Sequence, residues 1–168
     1  VSPESWTLDP AAVAEALETR CHRDTDGSLR LTETGERVAA IMPVYTLGTP
    51  ADMDALGEVA RKHGLPIVAD AAAALGARYK GRLIGPLADY TVYSFNGNKT
   101  ITTGGGGMIV GPDGGKMKLA KHLTTTARVG TDYDHDRVGF NYRMTNVEAA
   151  IGCGQLERLP DFLAAKKR

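Results

Sequence analysis

One lysine, set between two strand-like runs and followed by a run of glycines, constrains this chain more than any other feature. The stretch Tyr93-Ser94-Phe95-Asn96-Gly97-Asn98-Lys99-Thr100-Ile101-Thr102-Thr103 leads straight into Gly104-Gly105-Gly106-Gly107. Before it, Tyr90, Val92, Tyr93 and Phe95 give residues 89–95 the apolar and aromatic density of a strand entering the interior, and Met108-Ile109-Val110 reads as the next strand. A charged lysine is costly to bury, so one in this position is either a solvated turn residue or an amine aimed into a site. Four glycines favour the second reading, because they permit positive φ and close approach of backbone to another molecule at an entropic cost that a plain turn does not require.

A second element points the same way. Pro66-Ile67-Val68-Ala69 is a short apolar run ending in Asp70 and followed by Ala71-Ala72-Ala73-Ala74-Leu75-Gly76. It reads as a strand that delivers a carboxylate at its C-terminal end, where α/β sheets place ligands. The plainer reading is that Asp70 caps the alanine-rich turn after it. A carboxylate and a lysine at two strand ends suit a cofactor whose ring nitrogen stays protonated while an amine holds its aldehyde, and pyridoxal phosphate is such a cofactor.

Five stretches, in this order, give the chain a family resemblance. They are Ala69-Asp70-Ala71-Ala72, Tyr79-Lys80-Gly81-Arg82, Tyr93 to Lys99 as quoted above, Thr102-Thr103-Gly104-Gly105-Gly106-Gly107-Met108, and Gly139-Phe140-Asn141-Tyr142-Arg143-Met144. Together they resemble the DegT/StrS-type nucleotide-sugar aminotransferases over residues 43–168. Asn96-Gly97-Asn98-Lys99 and Thr145-Asn146-Val147-Glu148-Ala149-Ala150-Ile151-Gly152 look most like the branch that aminates UDP-4-keto-6-deoxy-N-acetylglucosamine on the way to bacillosamine and legionaminic acid precursors.

The resemblance implies an α/β fold: the central part of the large domain of a fold type I pyridoxal-phosphate-dependent transferase, with a mostly parallel sheet flanked by helices. It implies that residues 1–168 are a partial cofactor-binding domain, lacking an N-terminal segment and a C-terminal small domain. By the same resemblance, Lys99 forms the aldimine with pyridoxal 5′-phosphate and then shuttles a proton, for which its amine must be neutral. Asp70 pairs with the protonated pyridine nitrogen, Ser94 binds the cofactor phosphate, and Asn141 reaches the phosphate held by a neighbouring subunit, so a homodimer is implied. Glutamate is the implied amino donor, and the acceptor is the 4-keto carbon of a nucleotide-linked sugar. Two positions depart from the family pattern: Ala73 stands where many members carry glutamine or glutamate, and Gly105 where many carry glutamate. A related sugar dehydratase would carry histidine in place of Lys99. A catalytically inactive fragment, or a dimerisation scaffold of the same fold, is the reading from a different class.

Composition narrows the partners. Lys plus Arg and Asp plus Glu number 20 each, which gives no basic excess for nucleic acid or an acidic membrane face. Cys21 and Cys153 are too few and too isolated for a disulfide framework or a zinc site. No secretory signal pattern and no apolar stretch of spanning length is present, so a cytoplasmic location is expected. At 168 residues and 42% hydrophobic content, one domain with one core is expected.

Along the chain, Asp9-Pro10 opens a helix expected to run to about Cys21, and residues 23–36 read as a loop. Residues 38–44 form a continuous apolar run of the kind buried on both faces of a parallel sheet. Thr49-Pro50 opens a helix closed by Gly64, completing a βαβ unit with the strand that ends at Asp70. Residues 116–126 read as a helix. Asp132-Tyr133-Asp134-His135-Asp136 lacks the glycine and the closing glutamate of a calcium loop, so no metal site is assigned, and the resemblance makes this segment one that crosses toward a partner subunit. Thr145 to Glu148 reads as a capping box, and Pro160 restarts a final helix.

Overall fold

The computed structural model describes residues 1–166. Helix α1 (Pro10–Thr19) starts where Asp9, in an extended conformation, accepts a hydrogen bond from Ala11 N, with Pro10 in the first turn. It ends before Cys21, which belongs to strand β1 (Cys21–Arg23), and β1 pairs antiparallel with β2 (Leu29–Leu31). The segment expected as a loop is therefore largely a hairpin. Its turn is held by Asp24 and Asp26, which accept from Thr25 N and Ser28 N at 2.7 Å each, and Leu29 anchors it in the core. The three-residue strand Cys21–Arg23 is too short and too polar to show a two-residue alternation.

The central sheet is built around β3 (Val68–Asp70). On one side residues 41–44 run parallel to it through Ile41↔Ile67 and Val44↔Asp70. On the other side lies β6 (Tyr90–Ser94), also parallel, and beyond it β7 (Gly107–Val110), antiparallel. The run 38–44 is not buried on both faces as expected. Ile41 and Pro43 are buried while Met42 is 62% and Val44 45% exposed, because one face of this edge segment is left uncovered. Helix α2 (Met53–His63) carries the chain from that edge back to β3. It begins at Met53, after the N-cap Asp52 rather than at Thr49-Pro50, and ends on the left-handed C-cap Gly64 as expected. Its residues Met53, Leu56 and Ala60 face the core with Ala69, Ala71, Tyr45 and Ile84.

A short hairpin, β4 (Arg78–Tyr79) with β5 (Arg82–Leu83), is fastened to the start of α2. Tyr79 Oη donates to Asp52 at 2.6 Å, while Lys80 and Arg82 both pair with Asp54. After β7 come α3 (Gly114–Thr124), capped by Asp113, a small hairpin of β8 (Arg128–Val129) and β9 (Asp134–His135), then α4 (Asn146–Glu157) and α5 (Leu159–Lys166). The capping box at Thr145–Glu148 is fully formed. The result is the expected α/β architecture, with a mostly parallel sheet flanked by helices. No helix among the described residues is long and apolar enough to cross a membrane.

Candidate functional site

Asp70 and Ser94 share one face of the sheet. Asp70 is the last residue of β3 and pairs with Val92 of β6, so the two side chains lie on the same side, and Ser94, two residues on, does too. Both strands are parallel, and both residues stand at C-terminal strand ends, where an open α/β sheet places its ligand crevice. The Asp70 carboxylate accepts from Ala72 N at 3.0 Å through Oδ1. That contact realises the turn-capping role, and it occupies only one of the two oxygens. Ser94 Oγ accepts from Asn96 N at 3.3 Å, which leaves its hydroxyl proton free to donate.

The lysine loop starts at once after Ser94. Lys99 N donates to Asn96 O at 3.0 Å and Gly97 N to Asn96 Oδ1 at 2.9 Å, closing a tight turn. The loop is fastened at its far end: Ile101 is 2% exposed, and Thr103 N and Thr102 Oγ1 both donate to Phe95 O, at 2.9 and 3.1 Å. Thr102 N in turn donates to Gln155 Oε1 of α4 at 2.9 Å. Lys99 is half-buried, and no hydrogen bond or ion pair engages its Nζ among the described residues. The glycine run behaves as its composition suggested. Gly104 and Gly106 take φ of 84° and 77°, and a Cβ on Gly107 would fall 2.6 Å from Tyr93 O.

Asn141 lies on a different part of the molecule. It is exposed and pairs antiparallel with Thr125 just past α3, and among the described residues no hydrogen bond joins it to Asp70, Ser94 or Lys99. The structure thus brings Asp70 and Ser94 onto one sheet face, places Lys99 in the loop that follows, and leaves Asn141 apart. The following residues Tyr142 and Arg143 do border the same sheet face. With Val92, Ile109, Met117 and Lys121 they line a groove of about 810 Å³ between the sheet and α3. The opposite face, carrying Tyr93, Phe95, Met108 and Val110, borders an apolar cavity of about 450 Å³ under α4 and α5. Tyr93 and Cys153 are the ionisable side chains on that wall, so the cavity offers no acid–base pair.

Two supporting residues escaped sequence reasoning. Gln155 holds the lysine loop from a distant helix, and nothing local in the sequence of α4 marks it for that contact. Tyr45, 1% exposed, sets the register of the Asp70 strand end through Tyr45 N donating to Asp70 O at 2.9 Å. Burial pushes its phenol up to about 12, and its hydroxyl has no hydrogen-bond partner.

Known proteins resemble this chain in sequence and in fold. The chain is 48% identical to the GDP-perosamine synthase of Caulobacter vibrioides across 99% of its own length and 40% of that protein's. It is 35% identical to the UDP-4-amino-4,6-dideoxy-N-acetyl-beta-L-altrosamine transaminase of Campylobacter jejuni, covering 96% of this chain and 46% of that one. A solved DegT DnrJ EryC1 StrS aminotransferase from Brucella abortus superposes with a TM-score of 0.83 at 25% identity, over 96% of this chain and 41% of that one. The chain therefore spans less than half the length of these relatives. The model of the DegT/DnrJ/EryC1/StrS aminotransferase family matches residues 1–168, and this chain belongs to that family.

Proposed function

We propose that this chain is the cofactor-binding core of a nucleotide-sugar aminotransferase that moves an amino group from glutamate to the 4-keto carbon of a nucleotide-linked 6-deoxy sugar, with Lys99, Asp70, Ser94 and Asn141 as its site residues. Aminotransferases of this family depend on pyridoxal 5′-phosphate. The observation that carries the reading is the shared sheet face of Asp70 and Ser94, with an unpaired lysine amine in the loop directly after Ser94. The donor set fits the cofactor: a carboxylate with one free oxygen for a ring N–H, a hydroxyl with a free proton for a phosphate oxygen, and an amine for an aldehyde. The name of the Campylobacter relative, a 4-amino-4,6-dideoxy sugar transaminase, supports amination at C4.

When bound, the cofactor supplies an aldehyde conjugated to an electron-withdrawing pyridine ring. The chain's own residues do the rest. The Asp70 oxygen not engaged by Ala72 would accept the ring N–H and keep that proton in place, because a charge-assisted bond to a carboxylate is stronger than a neutral one. Ser94 Oγ, whose proton is free, would donate to the cofactor phosphate and help to anchor the group. Lys99 Nζ would hold the cofactor through its aldehyde and, as a free amine, would act as the general base that takes the proton from the donor's Cα. Thr102, Thr103 and Gln155 limit the travel of the lysine loop, so Nζ stays within reach of that proton. The scheme is ping-pong: glutamate leaves as 2-oxoglutarate before the keto sugar enters and leaves as the amine. The exposure of Asn141 supports the reading that it reaches a phosphate held by the second subunit of a homodimer.

The test is borohydride reduction of the protein with pyridoxal 5′-phosphate, followed by peptide mass spectrometry. An adduct on Lys99, absent in Lys99→Ala, supports the reading. A chain that takes up no cofactor at saturating concentration overturns it in favour of a scaffold without turnover. GDP- and UDP-linked 4-keto-6-deoxy sugars, offered in parallel to the aminated cofactor form, then decide which nucleotide the enzyme takes.

A further inference from the structure

Between α3 and α4 the chain builds a polar latch that the aminotransferase chemistry above does not use. His122, in the last turn of α3, meets Asp136 with Nε2 to Oδ1 at 2.7 Å, and Arg137 Nε lies 3.6 Å from the same oxygen. Asp136 N donates to Ala127 O at 3.2 Å, and His135 Nδ1 lies 2.7 Å from Thr126 O. Between these contacts Thr126 and Ala127 both adopt left-handed backbone, φ 68° and 52°, an arrangement that non-glycine residues keep only when their surroundings enforce it. Ala127 is wholly buried. Gly139 passes so close that a Cβ there would lie 2.3 Å from Thr126 C and 2.5 Å from Ala127 N. The segment that follows is stitched to the strained turn by Phe140 N to Leu123 O at 2.7 Å, Thr126 N to Phe140 O at 3.0 Å and Tyr142 N to Thr124 O at 3.0 Å. Asn141 sits in the middle of that ladder.

We infer that His122 and Asp136 are positioning residues for Asn141: their contact holds the 128–138 excursion against the end of α3, and so fixes the backbone from which Asn141 reaches the cofactor phosphate. The inference rests on the role given to Asn141 above. Without the His122–Asp136 contact, the backbone bonds of Thr126, Asp136, Phe140 and Tyr142 and the His135 contact still define the segment, but the strain at Thr126 and Ala127 works against them. The conservative change His122→Gln keeps an Nε2 donor at nearly the same reach as the imidazole Nε2, whereas alanine leaves the Asp136 carboxylate without its histidine partner.

Two measurements on the purified protein test this. Amide hydrogen exchange without cofactor should show Phe140 and Tyr142 about tenfold faster in His122→Ala and Asp136→Ala, with the α2 amides unchanged. Pyridoxal 5′-phosphate titration should show Kd weakened about tenfold in either variant, no further weakening in the double variant, and recovery to within about threefold of the parent in His122→Gln. Unchanged exchange at Phe140 and Tyr142, failure of His122→Gln to restore binding, or an unchanged Kd in His122→Ala while Asn141→Ala weakens binding overturns this inference alone. An unchanged Kd in Asn141→Ala overturns the role of Asn141 and this inference with it. Exchange that also accelerates throughout α2 marks a general loss of fold and counts against positioning.

Discussion

The two sides of Gly104 are folded by different means. Up to Thr103 the chain has a core of its own, from Leu17 and Leu29 through Leu56, Ala69 and Tyr93 to Ile101. From Gly104 to Lys166, Ala127 is the buried residue among those described, and α3, α4 and α5 bury none. Both parts carry good helix-end chemistry: Asp9 and Asp52 cap α1 and α2, and Asp113 and Thr145 cap α3 and α4. Caps thus decide where a helix starts in either part, while burial differs almost completely. The apolar residues Phe140, Tyr142, Val147, Ile151 and Leu156 are 45–74% exposed, with Phe140 and Tyr142 stacked on one another at 5.3 Å. Most helical stability comes from packing an apolar face, so the later helices draw more of theirs from local contacts than α2 does.

The largest expected effect sets Leu56 against Ile151. Leu56 in α2 is 0% exposed, and Leu56→Ala should cost about 2–5 kcal/mol through lost burial and the cavity left behind. Ile151 in α4 is 45% exposed, and Ile151→Ala should cost less than about 1 kcal/mol. Urea denaturation of both variants is the measurement, and equal losses would break the comparison.

Next come two glycines. Gly107 lies where β7 crosses Tyr93, and Gly107→Ala places a methyl 2.6 Å from a carbonyl oxygen that cannot move without disturbing the β6–β7 ladder, so a loss of about 2 kcal/mol or more is expected. Gly154 lies inside α4 with open space around it. Gly154→Ala should gain about 0.5–1 kcal/mol from helix propensity alone. A loss at Gly154 would show that α4 is packed more tightly than its exposure indicates. Smaller again is Thr145→Ala, which removes the hydroxyl that accepts from Glu148 N at 3.3 Å and should cost about 1 kcal/mol, confined to α4 in far-ultraviolet circular dichroism and amide exchange.

The same division explains what could be read in the sequence. Caps, turns and strand ends are local, and Asp9, Gly64, Asp70 and Thr145 all take the positions their residue types suggested. Their first-order environment is a few residues of chain. What could not be read depends on partners distant in sequence. Residues 38–44 look like a strand buried on both faces, and nothing local says that one face is left open at Met42 and Val44. The hold of Gln155 on Thr102 spans 53 residues, and the unpartnered hydroxyl of Tyr45 appears only once the sheet is assembled. Of the candidate site, Ser94 entered through the family resemblance, whereas the strand-end place of Asp70 and the turn that carries Lys99 were legible because strand ends and glycine runs are local features. The setting of Asn141 was not, since it depends on two left-handed residues, Thr126 and Ala127, that carry no glycine to announce them.

The smallest effect concerns the hairpin that joins the well-buried part to solvent. Asp54 is held down to about 2 by hydrogen bonds from Lys80, at 2.8 Å, and from Arg82, while the ordinary carboxyl value is 3.8. A carboxylate whose folded value is depressed adds stability that is fully present above its unfolded value and is lost as the pH falls through the folded one. For Asp54 the window lies below about pH 4 and extends to about 2. The carboxylate is exposed, so screening limits what the contact contributes, and added salt should shrink it further. Asp52 beside it is also lowered, first by the Tyr79 hydroxyl and then by Ala55 N, so protonating either carboxylate loosens the hairpin. A carbon-detected titration of both carboxyls should therefore show β4–β5 amides shifting together with Asp54, while the amides of α4 stay fixed through that range. Movement of α4 in step with the hairpin would mean that the two parts of the molecule are coupled more strongly than their separate burial implies.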